Sequence, residues 1–130
     1  MTIYELLLCD DVIRDEKTGK NTAIGIFDRI SSTEVPAIHP KMVVFFRYQS
    51  PEKESKVRFV FDREGVEKPI LDAEFIIKQP DNYNFGLLGH VLRLNNILLE
   101  VPGTYWIRIY YKGRSIGKAP FYFEIKEGEK

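Results

Sequence analysis

Pro102-Gly103-Thr104-Tyr105-Trp106-Ile107-Arg108-Ile109-Tyr110-Tyr111-Lys112-Gly113-Arg114, with the return run Ala119 to Lys126, decides the fold. Alternation at period two puts Tyr105, Ile107 and Ile109 on one side of an extended chain and Trp106, Arg108 and Tyr110 on the other. Phe121, Phe123 and Ile125 form a matching apolar set on the return run. Two such runs joined through a glycine read as a β-hairpin. For both apolar sets to face one core, the connection must be odd in length or contain a bulge. A three-residue loop, Lys112-Gly113-Arg114, satisfies that condition.

The same alternation recurs towards the N-terminus, and no window of helical length keeps apolar residues at three-and-four spacing. Ile3 to Cys9 and Thr22 to Ile30 read as paired strands joined by the polar segment Arg14 to Asn21. Lys41 to Tyr48, Val57 to Asp62 and Leu71 to Ile77 follow, separated by turn signals. Leu87 to Leu99 is interrupted at Asn95-Asn96, which predicts a bulged strand or two short ones. About eight strands with regular turn signals predict an all-β fold, an immunoglobulin-like two-sheet β-sandwich, with a closed β-barrel as the alternative. Gly103-Thr104-Tyr105 matches the start of the penultimate strand in such sandwiches, where a tyrosine hydroxyl ties a corner to the preceding connection. Architecture of this kind does not transfer function.

At 130 residues the chain reads as one domain over 1–130, and its 44% hydrophobic residues supply a core. Nineteen basic residues balance nineteen acidic ones, so the long-range field that non-specific nucleic-acid binding needs is missing. No apolar stretch approaches a membrane span of about 20 residues. The N-terminal residues do not look like a secretory leader, and Cys9 is the single cysteine, so the expected compartment is the cytoplasm.

Leu7-Leu8-Cys9-Asp10-Asp11-Val12, Gly19-Lys20 and Ile24-Gly25-Ile26-Phe27-Asp28-Arg29-Ile30 resemble the opening of a bacterial family of short cytoplasmic all-β proteins of unknown function. The closing Pro102-Gly103-Thr104-Tyr105 hairpin is similar as well. The resemblance covers the two ends of the chain and implies the fold and the compartment, with no activity attached.

Catalytic motifs are sparse. Asp10, Asp11 and Asp28 approach one another if the first two strands pair, and with Arg29 they form one candidate cluster for a cation or small ligand. The six to eight oxygen ligands of a calcium site have no sequence counterpart here, so strand-end aspartates paired with Arg14 and Arg29 are the simpler reading, and no metal is expected. Cys9 follows an apolar run and precedes two acids that raise a thiol pKa, which suits a core filler better than a nucleophile. His39 and His90 show no metal-ligand spacing, and neither a phosphate-binding glycine loop nor a nucleophile elbow occurs. The expectation is a non-enzyme without cofactor.

The side opposite the core is more informative. If Met42, Val44, Phe46 and Tyr48 face inward, Phe45 and Arg47 face out, as do Arg58 and Val60 on the next strand. The final hairpin adds Trp106, Arg108, Tyr110 and Tyr122. Arginine and aromatics are enriched at interface hot spots, and such a set on one sheet amounts to an apolar patch that calls for a cover. Three readings compete: the loop Pro80 to Gly86, with Tyr83 and Phe85, folds over it, or Tyr–Arg pairs simply stabilise it; a second copy packs on it as a homodimer; or another protein, peptide or sugar binds it. Single-stranded nucleic acid ranks below these, because Asp62, Asp72 and Glu124 interrupt the basic surface.

Overall fold

The computed structural model describes residues 1–81, 83 and 86–127. Among the described residues ten strands are found: β1 (Thr2–Cys9), β2 (Asp11–Arg14), β3 (Asn21–Ile24), β4 (Arg29–Ser32), β5 (Ala37–Gln49), β6 (Glu54–Arg63), β7 (Leu71–Lys78), β8 (Leu88–Leu99), β9 (Gly103–Tyr111) and β10 (Arg114–Ile125). No helix among the described residues is long and apolar enough to cross a membrane. The fold is all-β. A three-stranded sheet runs β1-β5-β8, a five-stranded sheet runs β4-β10-β9-β6-β7, and β2 with β3 forms a separate hairpin.

One core fills the space between the two large sheets. Met42, Val44 and Phe46 of β5 and Leu99 of β8 meet Val57, Phe59 and Phe61 of β6, Ile107 and Ile109 of β9, and Phe121 and Phe123 of β10. Each large side chain removed from water in this way contributes about 1.5–3 kcal/mol, which holds the two sheets face to face.

The final hairpin forms as the alternation requires, but by the other of the two routes. Lys112 and Gly113, with φ of 50° and 75°, make a two-residue turn. Parity is restored by a bulge between Ser115 and Gly117, so that Ile107 faces Ala119 and Tyr105 faces Phe121. Phe121 and Phe123 are buried as expected, whereas Ile125, at the strand end, is exposed. The Tyr105 hydroxyl donates to the Val101 carbonyl and closes the corner ahead of β9.

The opening segment departs from expectation. β1 pairs with β5, not with the run from Thr22 to Ile30. That run breaks at Gly25: its first half, β3, pairs back on β2, and β4 crosses to the five-stranded sheet and lies parallel to β10. β8 is one strand in unbroken register with β5, and the Asn95-Asn96 interruption marks a change of facing. Asn96 adopts φ 53°, and the inward set shifts from Leu92 and Leu94 to Ile97 and Leu99.

Candidate functional site

The outer side of the five-stranded sheet gathers most of the aromatic and arginine set. Cross-strand register places Arg58 opposite Tyr110, Val60 opposite Arg108 and Asp62 opposite Trp106. On the other flank Trp106 faces Pro120 and Arg108 faces Lys118, while Tyr122 faces Arg29 of the parallel edge strand β4. These residues alternate with the buried ones, so the pleat itself presents them together.

A repeated unit of aromatic ring, cation and carboxylate organises this face. Arg108 sits 5.1 Å from the Trp106 ring centre and donates through Nε to Asp62 Oδ2 at 2.9 Å. Arg58 lies 5.5 Å from the Tyr110 ring and grips Asp72 with two parallel hydrogen bonds of 2.8 and 2.6 Å. Arg29 lies 5.5 Å from the Tyr122 ring and donates to Glu124 at 2.7 Å. The indole takes a second cation, Lys118 Nζ, at 5.2 Å. Hydrogen bonds from Arg58 hold the Asp72 carboxyl below its ordinary range, and those carboxylate contacts raise Arg58 in return. The Ser31 hydroxyl, followed by Arg29, does the same for Glu124. Between the units Val60 is only 6% exposed although it points away from the core, covered by its long neighbours.

Two predicted members are elsewhere. Phe45 and Arg47 belong to β5 and hence to the three-stranded sheet. Phe45 is 5% exposed, packed with Cys9, Val12 and Val43 beneath the β2–β3 hairpin, and Arg47 pairs with Glu5 at 3.2 Å. The reading failed because it gave β5 one buried face. The continuous apolar run Met42 to Phe46 is the signature of a strand covered on both sides, and that signal was available. Tyr83 donates its hydroxyl to the Gly86 carbonyl within its own loop at 2.6 Å, and Phe85 lies outside the described residues. The carboxylates Asp62, Asp72 and Glu124 do interrupt the basic surface, each bound to an arginine.

A family model matches residues 5–124. The chain belongs to DUF6941, a family of unknown function. The match takes in both large sheets and the small hairpin, well beyond the two ends that carried the sequence resemblance. No curated protein matches this DUF6941 chain.

The residues of the second predicted cluster of the DUF6941 chain are engaged in local contacts. Asp10 closes the small hairpin, its backbone N–H reaching the Ile24 carbonyl at 2.9 Å. Asp11 accepts from the Val12 N–H and pairs with Lys41 at 3.2 Å, and these contacts lower its pKa in that order. Asp28 offers its backbone carbonyl to the Tyr122 N–H, and Arg29 is committed to Glu124. Among the described residues no three His, Cys, Asp or Glu side chains converge as a metal-holding group. Cys9 is fully buried, and burial, then Asp10 and Asp11, push its thiol up, so it is a core filler and no thiolate. His39 and His90 are pushed down by burial and stand neutral. His90 is stacked on Phe75 at 5.3 Å and tilted against Phe46 at 5.2 Å.

Proposed function

We propose that this DUF6941 chain is a non-catalytic, cytoplasmic interaction module that self-associates through the outer face of its five-stranded sheet. The observation that carries the reading is the repeated unit of ring, cation and carboxylate built around Trp106, Tyr110 and Tyr122. A two-fold interface brings one patch against itself, so unpaired arginines would repel their own copies. Here each arginine already holds a carboxylate, and what remains for contact is ring surface and planar guanidinium, the chemistry of interface hot spots. Five strands at about 4.8 Å spacing and roughly 28 Å long present about 700 Å². That is close to the roughly 800 Å² per partner of a stable interface.

We also read the two large sheets as an immunoglobulin-like sandwich, a statement about architecture alone. In that reading β1, β5 and β8 take the positions of strands A, B and E, and β6, β9 and β10 those of C, F and G, supported by the strand order of the two sheets and by the Tyr105 corner at the start of F. Ile107 then stands two residues after the corner tyrosine, where antibody domains carry a cysteine, consistent with a fold that works in a reducing compartment.

Sedimentation velocity across a concentration series tests the proposal. The wild type should run as a dimer and Trp106→Ala/Tyr110→Ala as a monomer with an unchanged β spectrum, while Ile13→Ser, on the small hairpin, should stay dimeric. A wild type that remains monomeric at its highest soluble concentration removes the homodimer. In that case the units serve only to brace the sheet.

A further inference from the structure

We propose that the cleft between the β2–β3 hairpin and the β7/β8 side of the molecule binds a phosphate-bearing small molecule. The hairpin lies over Phe45 on the outside of the three-stranded sheet, and its tip overhangs Gly89 of β8. A Cβ at Gly89 would stand 3.0 Å from Asn21 Nδ2 and 3.2 Å from the Phe45 ring, so the absence of a side chain there lets the tip approach. Between the tip, β8 and the end of β7 opens a cavity of about 460 Å³. Arg14, Lys78 and Arg93 line it, with the Asn21 side chain and His90, and no carboxylate is among its described lining residues.

The charge here is local, since the whole chain is formally neutral. It is also loosely engaged. Arg14 makes no ion pair among the described residues, Arg93 reaches Asp11 only at 3.7 Å, and Lys78 reaches Glu54 only at 3.8 Å. The arginines of the aromatic face hold their carboxylates at 2.6 to 2.9 Å. Three cations lining one cavity without a close counter-ion are matched best by a multiply charged anion, and a phosphate group carries about −1.5 to −2 at neutral pH. Arginine forks add bidentate hydrogen bonds to its oxygens. The cavity exceeds what one phosphate fills and falls in the range of small-molecule sites, roughly 300–1,000 Å³. Its apolar lining, Ile76, Pro80, Leu87 and Val91, would take the organic part of a phosphate ester. The cations come from β2, β7 and β8, which is why no linear motif announces the site.

Isothermal titration calorimetry with inorganic phosphate, pyrophosphate, glucose 6-phosphate and citrate tests the assignment. Saturable binding of the phosphates is expected, tightest for pyrophosphate or the ester, with citrate weaker. Arg14→Ser and Lys78→Gln, both at exposed positions, should each weaken binding about tenfold. Lys68→Ser, in the β6–β7 connection and outside the cavity lining, should leave it unchanged. The proposal is overturned if no phosphate binds at millimolar concentration, if citrate binds as well as the phosphates, or if Lys68→Ser weakens binding as much as Arg14→Ser.

Discussion

At Gly25 the chain turns with φ 66° against the carboxylate of Asp10. A Cβ built there would lie 2.2 Å from Asp10 Oδ2 and 3.1 Å from Asp10 Cβ, so rotation of the carboxylate alone does not make room. Gly25→Ala should therefore lose about 1–3 kcal/mol in urea unfolding, from the left-handed backbone and the clash together. Combining it with Asp10→Ala should restore the part due to the clash. An alanine variant as stable as the wild type would show that the segment relaxes freely. Tyr105→Phe isolates a single hydrogen bond, and because Val101 is largely exposed, water can replace the hydroxyl. The expected loss is near 1 kcal/mol, and no shift in the unfolding midpoint would dismiss the corner as a stabilising device. Tyr105 was legible as special in the sequence from its Gly-Thr-Tyr context, whereas Gly25 stood unmarked inside the run read as one strand, Thr22 to Ile30. What Gly25 does, splitting one run into two strands of different sheets, was not legible, because the apolar run continues past it through Ile26 and Phe27.

Among the elements, the small β2–β3 hairpin is the one whose role the pattern concealed. Its inward residues, Val12 and Ala23, complete a second apolar layer with Cys9, Val43 and Phe45. Val12→Asp places a carboxylate in that layer and should cost about 2 kcal/mol or more. It should also speed tryptic cleavage at Lys17 and Lys20 and raise the fluorescence of a hydrophobic dye as the Phe45 face is uncovered. Unchanged cleavage and dye signal would mean that the hairpin is held by something other than this layer. The final hairpin was far more readable, since its alternation is strict and its partner adjacent in sequence. Only the device that restores parity differed: Gly117 lies against Ile3, whose Cδ1 would be 3.1 Å from a Cβ there, so the bulge sits where β1 crosses β10.

For the molecule as a whole, pH dependence follows from its two histidines and its surface carboxylates. His39 and His90 are held below their ordinary value of 6.5 by burial, so below that pH the unfolded chain takes up protons that the folded chain refuses. Their contribution is complete above about pH 6.5 and is lost as pH falls towards the lowered folded values. A second decline belongs to Asp72 and Glu124, whose depressed pKa values make their contribution present above 3.8 and 4.5 and lost in stronger acid. Thermal midpoints measured from pH 8 to pH 3 should show both phases, and His90→Phe should flatten the first. A flat profile between pH 7.5 and 5.5 would contradict the histidine assignment. At this scale the all-β class and the single shared core could be read from alternation, but sheet membership could not. It depends on pairings such as Phe123 with Ile30, far apart in sequence, and alternation carries no record of which strands are neighbours.

That non-local pairing also sets a timetable for synthesis. β9 and β10 lie in the middle of the five-stranded sheet, between β4 and the β6–β7 ribbon, yet they are translated after the other eight strands described. At about 5–20 residues per second, the stretch from Arg63 to Ile125 takes roughly 3–12 seconds to emerge. Throughout that interval β6 lacks its sheet neighbour β9 and the core lacks the side chains of β9 and β10, so Phe46, Phe59 and Phe61 are incompletely covered and open to chaperones, proteases and neighbouring nascent chains. Codon usage and chaperone supply while β7 to β10 are made should therefore govern the yield of folded protein more strongly than while β1 to β4 are made.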